Sequence, residues 1–243
     1  MIEAQNLVKR FRDRKRGTVC AVDHVSFSCR PGQIYGLLGA NGAGKTTVLR
    51  ILATILEPSE GTALVAGYDA AHDPQKVRAC VGFLSTATAL YARLSALEMV
   101  QYFGRLHGLD EATLRQRIDS IFDRLEMNDF RDRRCDKLST GMKQKVSIAR
   151  TLVHDPTVMI FDEPTVGLDV MAARAIIGFI RECRDSGKTV IFSTHVMSEV
   201  EKLCDHIGII HAGKLMAEGT LAELRERFKL HDLEDIFVKV VEP

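Results

Sequence analysis

Residues 33–54, QIYGLLGANGAGKTTVLRILAT, constrain this chain more than any other stretch. The apolar run Ile34-Tyr35-Gly36-Leu37-Leu38 has the length and flanking turn residues of a strand buried on both faces. It stops at a glycine-rich loop that opens into an amphipathic helix over residues 46–55. Gly39-Ala40-Asn41-Gly42-Ala43-Gly44-Lys45-Thr46 satisfies G-x-x-x-x-G-K-S/T at every defined position. Small residues let successive backbone N–H groups turn inward around a β-phosphate, at the positive end of the following helix. Lys45 then reaches the β- and γ-phosphates, and Thr46, with Thr47 beside it, offers a hydroxyl to Mg²⁺. The expected ligand is a nucleoside triphosphate with Mg²⁺.

The 243 residues, 46% of them hydrophobic, suffice for a full α/β nucleotide core with a subdomain. A formal net charge of +1 supplies no global basic field, so no nucleic acid partner is expected. Cys20, Cys29, Cys80, Cys135, Cys183 and Cys204 are scattered without C-x-x-C pairs or zinc spacing, which reads as ordinary thiols in a reducing cytosol. The first residues, MIEAQNLVKRFRDRKRG, lack the apolar core of a secretion signal, and no run approaches the roughly 18 apolar residues of a membrane span.

Residues 2–8 and 18–29 are rich in β-branched residues and partly alternate, which predicts a small antiparallel sheet beside the core. Between them lies KRFRDRKR, residues 9–16, with two readings: a solvated hairpin loop, or a segment whose Phe11 stacks on adenine. Strands are expected at 62–66, 80–84, 157–161 and 189–193, and a closing strand pair over 206–218. Helices are expected at 74–79, 141–153, 172–184, 196–204 and 221–228, and apolar residues at helical spacing over 94–130 mark a helical insertion. Val158-Met159-Ile160-Phe161 ends in Asp162 and Glu163, placing two carboxylates at a strand end. Asp162 is positioned for the Mg²⁺ hydration shell and Glu163 to orient or deprotonate a water. The fold class is α/β: a P-loop NTPase core with a mostly parallel sheet, a small N-terminal antiparallel β-subdomain and an inserted α-helical subdomain.

With these marks in order, the sequence resembles the ATP-binding subunits of ABC transporters. Leu138-Ser139-Thr140-Gly141-Met142-Lys143-Gln144 is similar to the family signature, usually LSGGQ, and Gly167-Leu168-Asp169 to its D-loop. Ser139 caps a helix whose first N–H groups form a second anion site, with Gly141 keeping side chains out of the way. The resemblance implies ATP and Mg²⁺ as cofactors and a dimer in which Ser139, Thr140 and Gly141 face the γ-phosphate held by a second copy. It also implies that His195 senses the γ-phosphate bound at its own phosphate loop and steadies the water and Glu163, and that Asp169 contacts the partner copy. It covers residues 1–220 as an ATP-binding domain, with the helical subdomain inserted at about 87–154, followed by a C-terminal helix and tail at 221–243. The implied role is an ATPase subunit at the cytoplasmic face of the membrane, driving separately encoded permease subunits and exporting sodium ions or drugs. The alternative is a soluble ABC-type ATPase of an assembly or repair machine, such as iron–sulfur cluster assembly.

Two departures stand out. The signature reads STGMKQ, with Thr140 for the first glycine and Met142 for glutamine, a form similar to the sodium-efflux (Nat type) and drug-efflux branch. The family's Q-loop glutamine falls at Thr86, and residues 76–100 contain no glutamine. A threonine hydroxyl can ligate Mg²⁺ or its water. If Thr86 does so, Thr86→Val raises the Mg²⁺ concentration needed for half-maximal ATPase and leaves Mg²⁺-free nucleotide binding unchanged. A Mg²⁺ titration of turnover checks this, and an unchanged midpoint removes Thr86 from the site.

Overall fold

The computed structural model describes residues 1–13, 17–85 and 89–242. Two long strands, β1 (Ile2–Asp13) and β2 (Gly17–Cys29), form the antiparallel hairpin that the β-branched segments predict. The basic stretch is therefore no loop through Asp13: Phe11 sits in β1 opposite Val19, while Arg14, Lys15 and Arg16 lie outside the described residues. Further strands are β3 (Ile34–Leu38), β4 (Glu60–Val65), β5 (Tyr68–Asp69), β6 (Val81–Ser85), β7 (Val158–Asp162), β8 (Thr189–Thr194), β9 (His206–His211) and β10 (Lys214–Gly219). One sheet runs β2-β1-β4-β5 and is antiparallel. The other runs β10-β9-β3-β8-β7-β6, parallel throughout except for the β9–β10 pair.

The helices are α1 (Lys45–Leu52), α2 (Pro74–Cys80), α3 (Ala96–Leu106), α4 (Glu111–Arg124), α5 (Thr140–Leu152), α6 (Val170–Asp185), α7 (Met197–Leu203), α8 (Leu221–Phe228) and α9 (Leu233–Val241). The phosphate-loop helix starts one residue before the expected 46 and stops at Leu52, where Thr54 turns the chain in a left-handed conformation. Helix α1 packs between the sheets: Val48, Leu49, Ile51 and Leu52 bury against Leu7, Val25 and Val65 on one side and Leu37 and Ile160 on the other. Each such side chain contributes about 1.5–3 kcal/mol of transfer free energy, enough to hold an eight-residue helix that would be marginal alone.

On the far face of the parallel sheet, Ile34, Met159, Phe161 and Phe192 meet α6 and α7. The charged tail carries a second helix, α9, whose Leu233, Ile236 and Val240 bury in the same cluster as Leu224 of α8. The insertion has its own core, with Met99, Leu114, Ile118, Phe122 and Val146 among its members. Helix α3 starts at a reciprocal cap, in which Ser95 Oγ accepts the Glu98 N–H (3.1 Å) and Glu98 Oε2 accepts the Ser95 N–H (2.8 Å).

A pair of imidazoles joins this helical unit to the parallel sheet. His107 follows α3 and His154 follows α5, and their rings stack with centroids 3.6 Å apart and planes 2° from parallel. His154 Nε2 lies 3.0 Å from the Val81 carbonyl of β6, so Nε2 carries the proton and donates it. Burial pushes the His154 imidazole down to about 4, and burial also lowers His107. The unfolded chain binds a proton at His154 below its ordinary value near 6.5, whereas the folded chain does so only near 4. Stability is thus complete above pH 6.5 and falls as pH drops toward 4, by about 3 kcal/mol over that window. Melting curves between pH 7 and 4.5 should show this slope, and His154→Gln, which keeps an N–H for Val81 but cannot titrate, should flatten it.

Candidate functional site

The phosphate loop leaves β3 at its carboxyl end, between β8 and β9, at the sheet edge where open α/β folds bind ligands. Two glycines are required there by close approach. A Cβ on Gly39 would lie 2.5 Å from the Ile210 carbonyl oxygen of β9, and one on Gly44 would lie 2.5 Å from that of Ala21 in β2. Gly44 also has φ +109°, which side-chain-bearing residues rarely adopt. Gly44 caps α1 without a side-chain hydrogen bond, so the first amides of the helix are left to face the loop. Ala43, buried in the core, donates its N–H to the Ala40 carbonyl (3.2 Å) and accepts that of Gly213 (2.9 Å). The resulting open cleft, about 330 Å³, is lined by Asn41, Gly42, Thr46, Thr47, Glu163 and, from the antiparallel sheet, Ala21.

Lys45 is 3% exposed, and its ammonium is met by the carbonyls of Gly39 (2.7 Å) and Ala40 (3.0 Å) and by Glu163 Oε1 (2.9 Å). Those three acceptors match its three protons. Glu163 Oε2 lies 3.3 Å from His195 Nδ1, so Glu163 is the bridge between Lys45 and His195. A phosphate oxygen that takes a Lys45 proton from Glu163 therefore also frees this carboxylate.

Glu163 is held by its backbone. Its φ is +47°, and its N–H donates to Ser193 Oγ (3.0 Å) and the Ser193 carbonyl (3.2 Å). Asp162, 5% exposed, accepts hydrogen bonds on Oδ1 from Thr46 Oγ1 (2.9 Å) and Ser193 Oγ (2.9 Å). A hard divalent cation takes such oxygen donors together with phosphate oxygens, so the Thr46 hydroxyl and Asp162 carboxylate fit Mg²⁺.

The fold thus brings together residues 39–47, Asp162, Glu163 and His195. Phe11 lies apart on the β1–β2 hairpin, 38% exposed, with Lys9 Nζ 5.4 Å from its ring centre. Ser139, Thr140 and Gly141 form the start of α5, where Ser139 Oγ accepts the Met142 N–H (3.3 Å). Asp169 caps α6 by accepting the Ala172 N–H (2.9 Å). Among the described residues, no hydrogen bond or ion pair links Ser139, Thr140, Gly141 or Asp169 to the phosphate loop. Thr86 lies outside the described residues, directly after Ser85, the register neighbour of Asp162. Sequence reasoning missed Ser193, which ties Asp162 to Glu163; its signal was a hydroxyl inside an apolar strand, in register with Asp162.

Residues 22–166 match the family model described as ABC transporter. The chain belongs to the ABC transporter family. It is 43% identical over 239 residues to the ABC transporter ATP-binding protein NatA of Bacillus subtilis (strain 168), covering 98% of this chain and 97% of that protein. It is 33% identical over 243 residues to the Nod factor export ATP-binding protein I of Cupriavidus metallidurans, covering 100% of this chain and 78% of the relative. A solved ATP binding subunit of an ABC transporter superposes with TM-score 0.87 at 28% identity, covering 99% of each chain. The α/β architecture with its antiparallel and helical subdomains is therefore the ABC cassette. The chain is an ATPase of this family, with ATP as nucleotide and Mg²⁺ as the general cofactor of such ATPases. A solved cbiO1 from Clostridium perfringens, 26% identical with TM-score 0.78 and covering 94% of this chain and 95% of that one, is described as part of the ABC transporter complex cbiONQ.

Lys45→Ala should remove the cation that offsets the triphosphate and loosen the turn it ties at Gly39 and Ala40. Equilibrium titration with a fluorescent ATP analogue should show affinity reduced by about tenfold or more, the scale of one lost charge-assisted contact.

Proposed function

We propose that ATP bound along residues 39–47 is hydrolysed with Glu163 orienting the attacking water, and that two copies of the chain work together to drive an exporter. The observation that carries this reading is the placement of Glu163 between Lys45 and His195, 2.9 and 3.3 Å away, beside the phosphate loop. In the proposed sequence, the triphosphate takes over Lys45 and the amides of α1. Glu163, freed from Lys45, accepts a hydrogen bond from water in line with the γ-phosphate, and His195 holds the far carboxylate oxygen or the phosphate edge. Thr46 and Asp162 hold Mg²⁺, which when bound neutralises charge on the phosphate oxygens.

The signature and D-loop support a shared site. Ser139, Thr140 and Gly141 offer an exposed helix start, and beside Asp169 the apolar residues Val166, Val170 and Met171 are 42%, 82% and 73% exposed. A second copy covering that surface would place each signature against the other's γ-phosphate. Phe11, on the exposed hairpin, is proposed to stack on adenine, and Thr86 to join the Mg²⁺ shell.

Among the described residues, no helix is long and apolar enough to cross a membrane, so the spans are assigned to permease chains with which this subunit associates peripherally. A groove of about 290 Å³ lined by Ile55, Phe83, Phe103 and His107 adjoins the edge-on rings of Tyr91, Tyr102 and Phe103. We assign it to a cytoplasmic helix of the permease. Export is supported by the name of the Cupriavidus relative, and sodium ions or drugs are the proposed cargo classes.

Glu163→Gln keeps the phosphate contacts, removes the anion competing for Lys45 and leaves water without its orienting carboxylate. ATP affinity should hold or rise while turnover falls about 10²-fold or more. Sedimentation should show a dimer at saturating MgATP. Turnover at the wild-type rate overturns the role of Glu163, and a strictly monomeric variant overturns the shared site.

A further inference from the structure

One buried carboxylate plays no part in the chemistry above. Glu199, in the first turn of α7, is 9% exposed, and its Oε2 accepts a 2.7 Å hydrogen bond from Thr194 Oγ1. Thr194 is 1% exposed and is the last residue of β8. Its hydroxyl oxygen also accepts the Val196 N–H (3.0 Å), and its carbonyl accepts the Gly39 N–H (3.3 Å). His195 therefore lies between two anchored neighbours. Its own side chain is 40% exposed and meets Glu163 at 3.3 Å, so its aim depends on the backbone beneath it.

We infer that Glu199 is a positioning residue for His195, acting through Thr194. A threonine hydroxyl has one proton and can donate it in one direction at a time. Donation to Glu199 fixes the Thr194 rotamer so that a lone pair points at the Val196 N–H, and this pins the backbone on both sides of His195. Without the acceptor on Glu199, the Thr194 side chain is released to change rotamer, which would carry its oxygen away from the Val196 N–H. The same residue holds Gly39 through its carbonyl, so the histidine and the entrance of the phosphate loop share one support. The inference rests on the proposed role of His195 at the γ-phosphate and adds the part that sets its placement.

A competing role is that an acidic residue in the first turn of α7 merely offsets the helix dipole. The two roles separate because glutamine keeps the acceptor but loses the charge, whereas methionine loses both at similar volume. Steady-state ATPase should show Glu199→Met with kcat lowered about 10- to 100-fold, as for a small misplacement of a catalytic group, and KM for ATP within about twofold. Glu199→Gln should recover most of the lost turnover. Thr194→Val, which removes the same hydrogen bond in a nearly isosteric side chain, should match Glu199→Met and carries the test if that variant does not fold. In a His195→Ala background, single-turnover measurements should show no further loss from Glu199→Met, because the two changes act on one group.

Wild-type kcat in both Glu199→Met and Thr194→Val, with His195→Ala impaired, overturns this inference and leaves the functional reading standing. Fully additive losses, or a Glu199→Gln variant as slow as Glu199→Met, also overturn it. Wild-type turnover in His195→Ala overturns the functional reading of His195 and the inference with it.

Discussion

Two backbone approaches hold the phosphate loop from opposite sides. Gly39 meets the Ile210 carbonyl of the parallel sheet and Gly44 meets that of Ala21 in the antiparallel sheet, each too closely for any Cβ. The turn between β9 and β10 closes the clamp, since Gly213 donates to the Ala43 carbonyl while its own carbonyl accepts the Asp23 N–H. The loop is therefore supported by both sheets, which is why an exposed segment rich in glycine keeps a fixed shape. Helix α1 follows from the same arrangement: it begins where the clamp ends and buries its apolar residues in the space between the sheets.

The chemistry is assembled from strand ends. Leu38, Ser85, Asp162 and Thr194 end β3, β6, β7 and β8, and in-register pairing brings them to one edge. Parallel pairing with little offset turns residues far apart in sequence into neighbours, so Thr46 reaches Asp162 across 116 positions. Glu163, one residue beyond its strand, uses a left-handed backbone to reverse toward Lys45 instead of continuing away from the sheet. Such a conformation costs energy for a side-chain-bearing residue and is sustained here by two hydrogen bonds from its amide to Ser193.

Much of this was legible in the sequence because it depends on local pattern. The apolar runs of β3, β7 and β8 are short, bounded by turn residues and buried on both faces, and composition alone marks them. The phosphate loop is legible because its backbone tolerates so few residue types. What stayed hidden depends on pairs distant in sequence: Ser193 with Asp162, Glu163 with Lys45, and Ile210 against Gly39. Nor does a charged tail announce α9, because its apolar residues find their partners only on α8 and the far face of the sheet. The strand reaching Phe11 was obscured by basic residues that a two-stranded hairpin arm can carry into solvent.

Gly141 differs from the glycines of the phosphate loop. Among the described residues, nothing lies within 4 Å of where its Cβ would be, and its φ is not positive. Glycine within a helix costs about 1 kcal/mol relative to alanine, so the chain gives up helical stability at a place where its own packing asks for nothing. The proposed contact of the signature with a second copy would account for a glycine that the monomer's own packing leaves open. A library selected only for thermal resilience would drift away from glycine at 141 while holding it at 39 and 44, and such a divergence would separate the glycines that the monomer's fold requires from one that it leaves unconstrained.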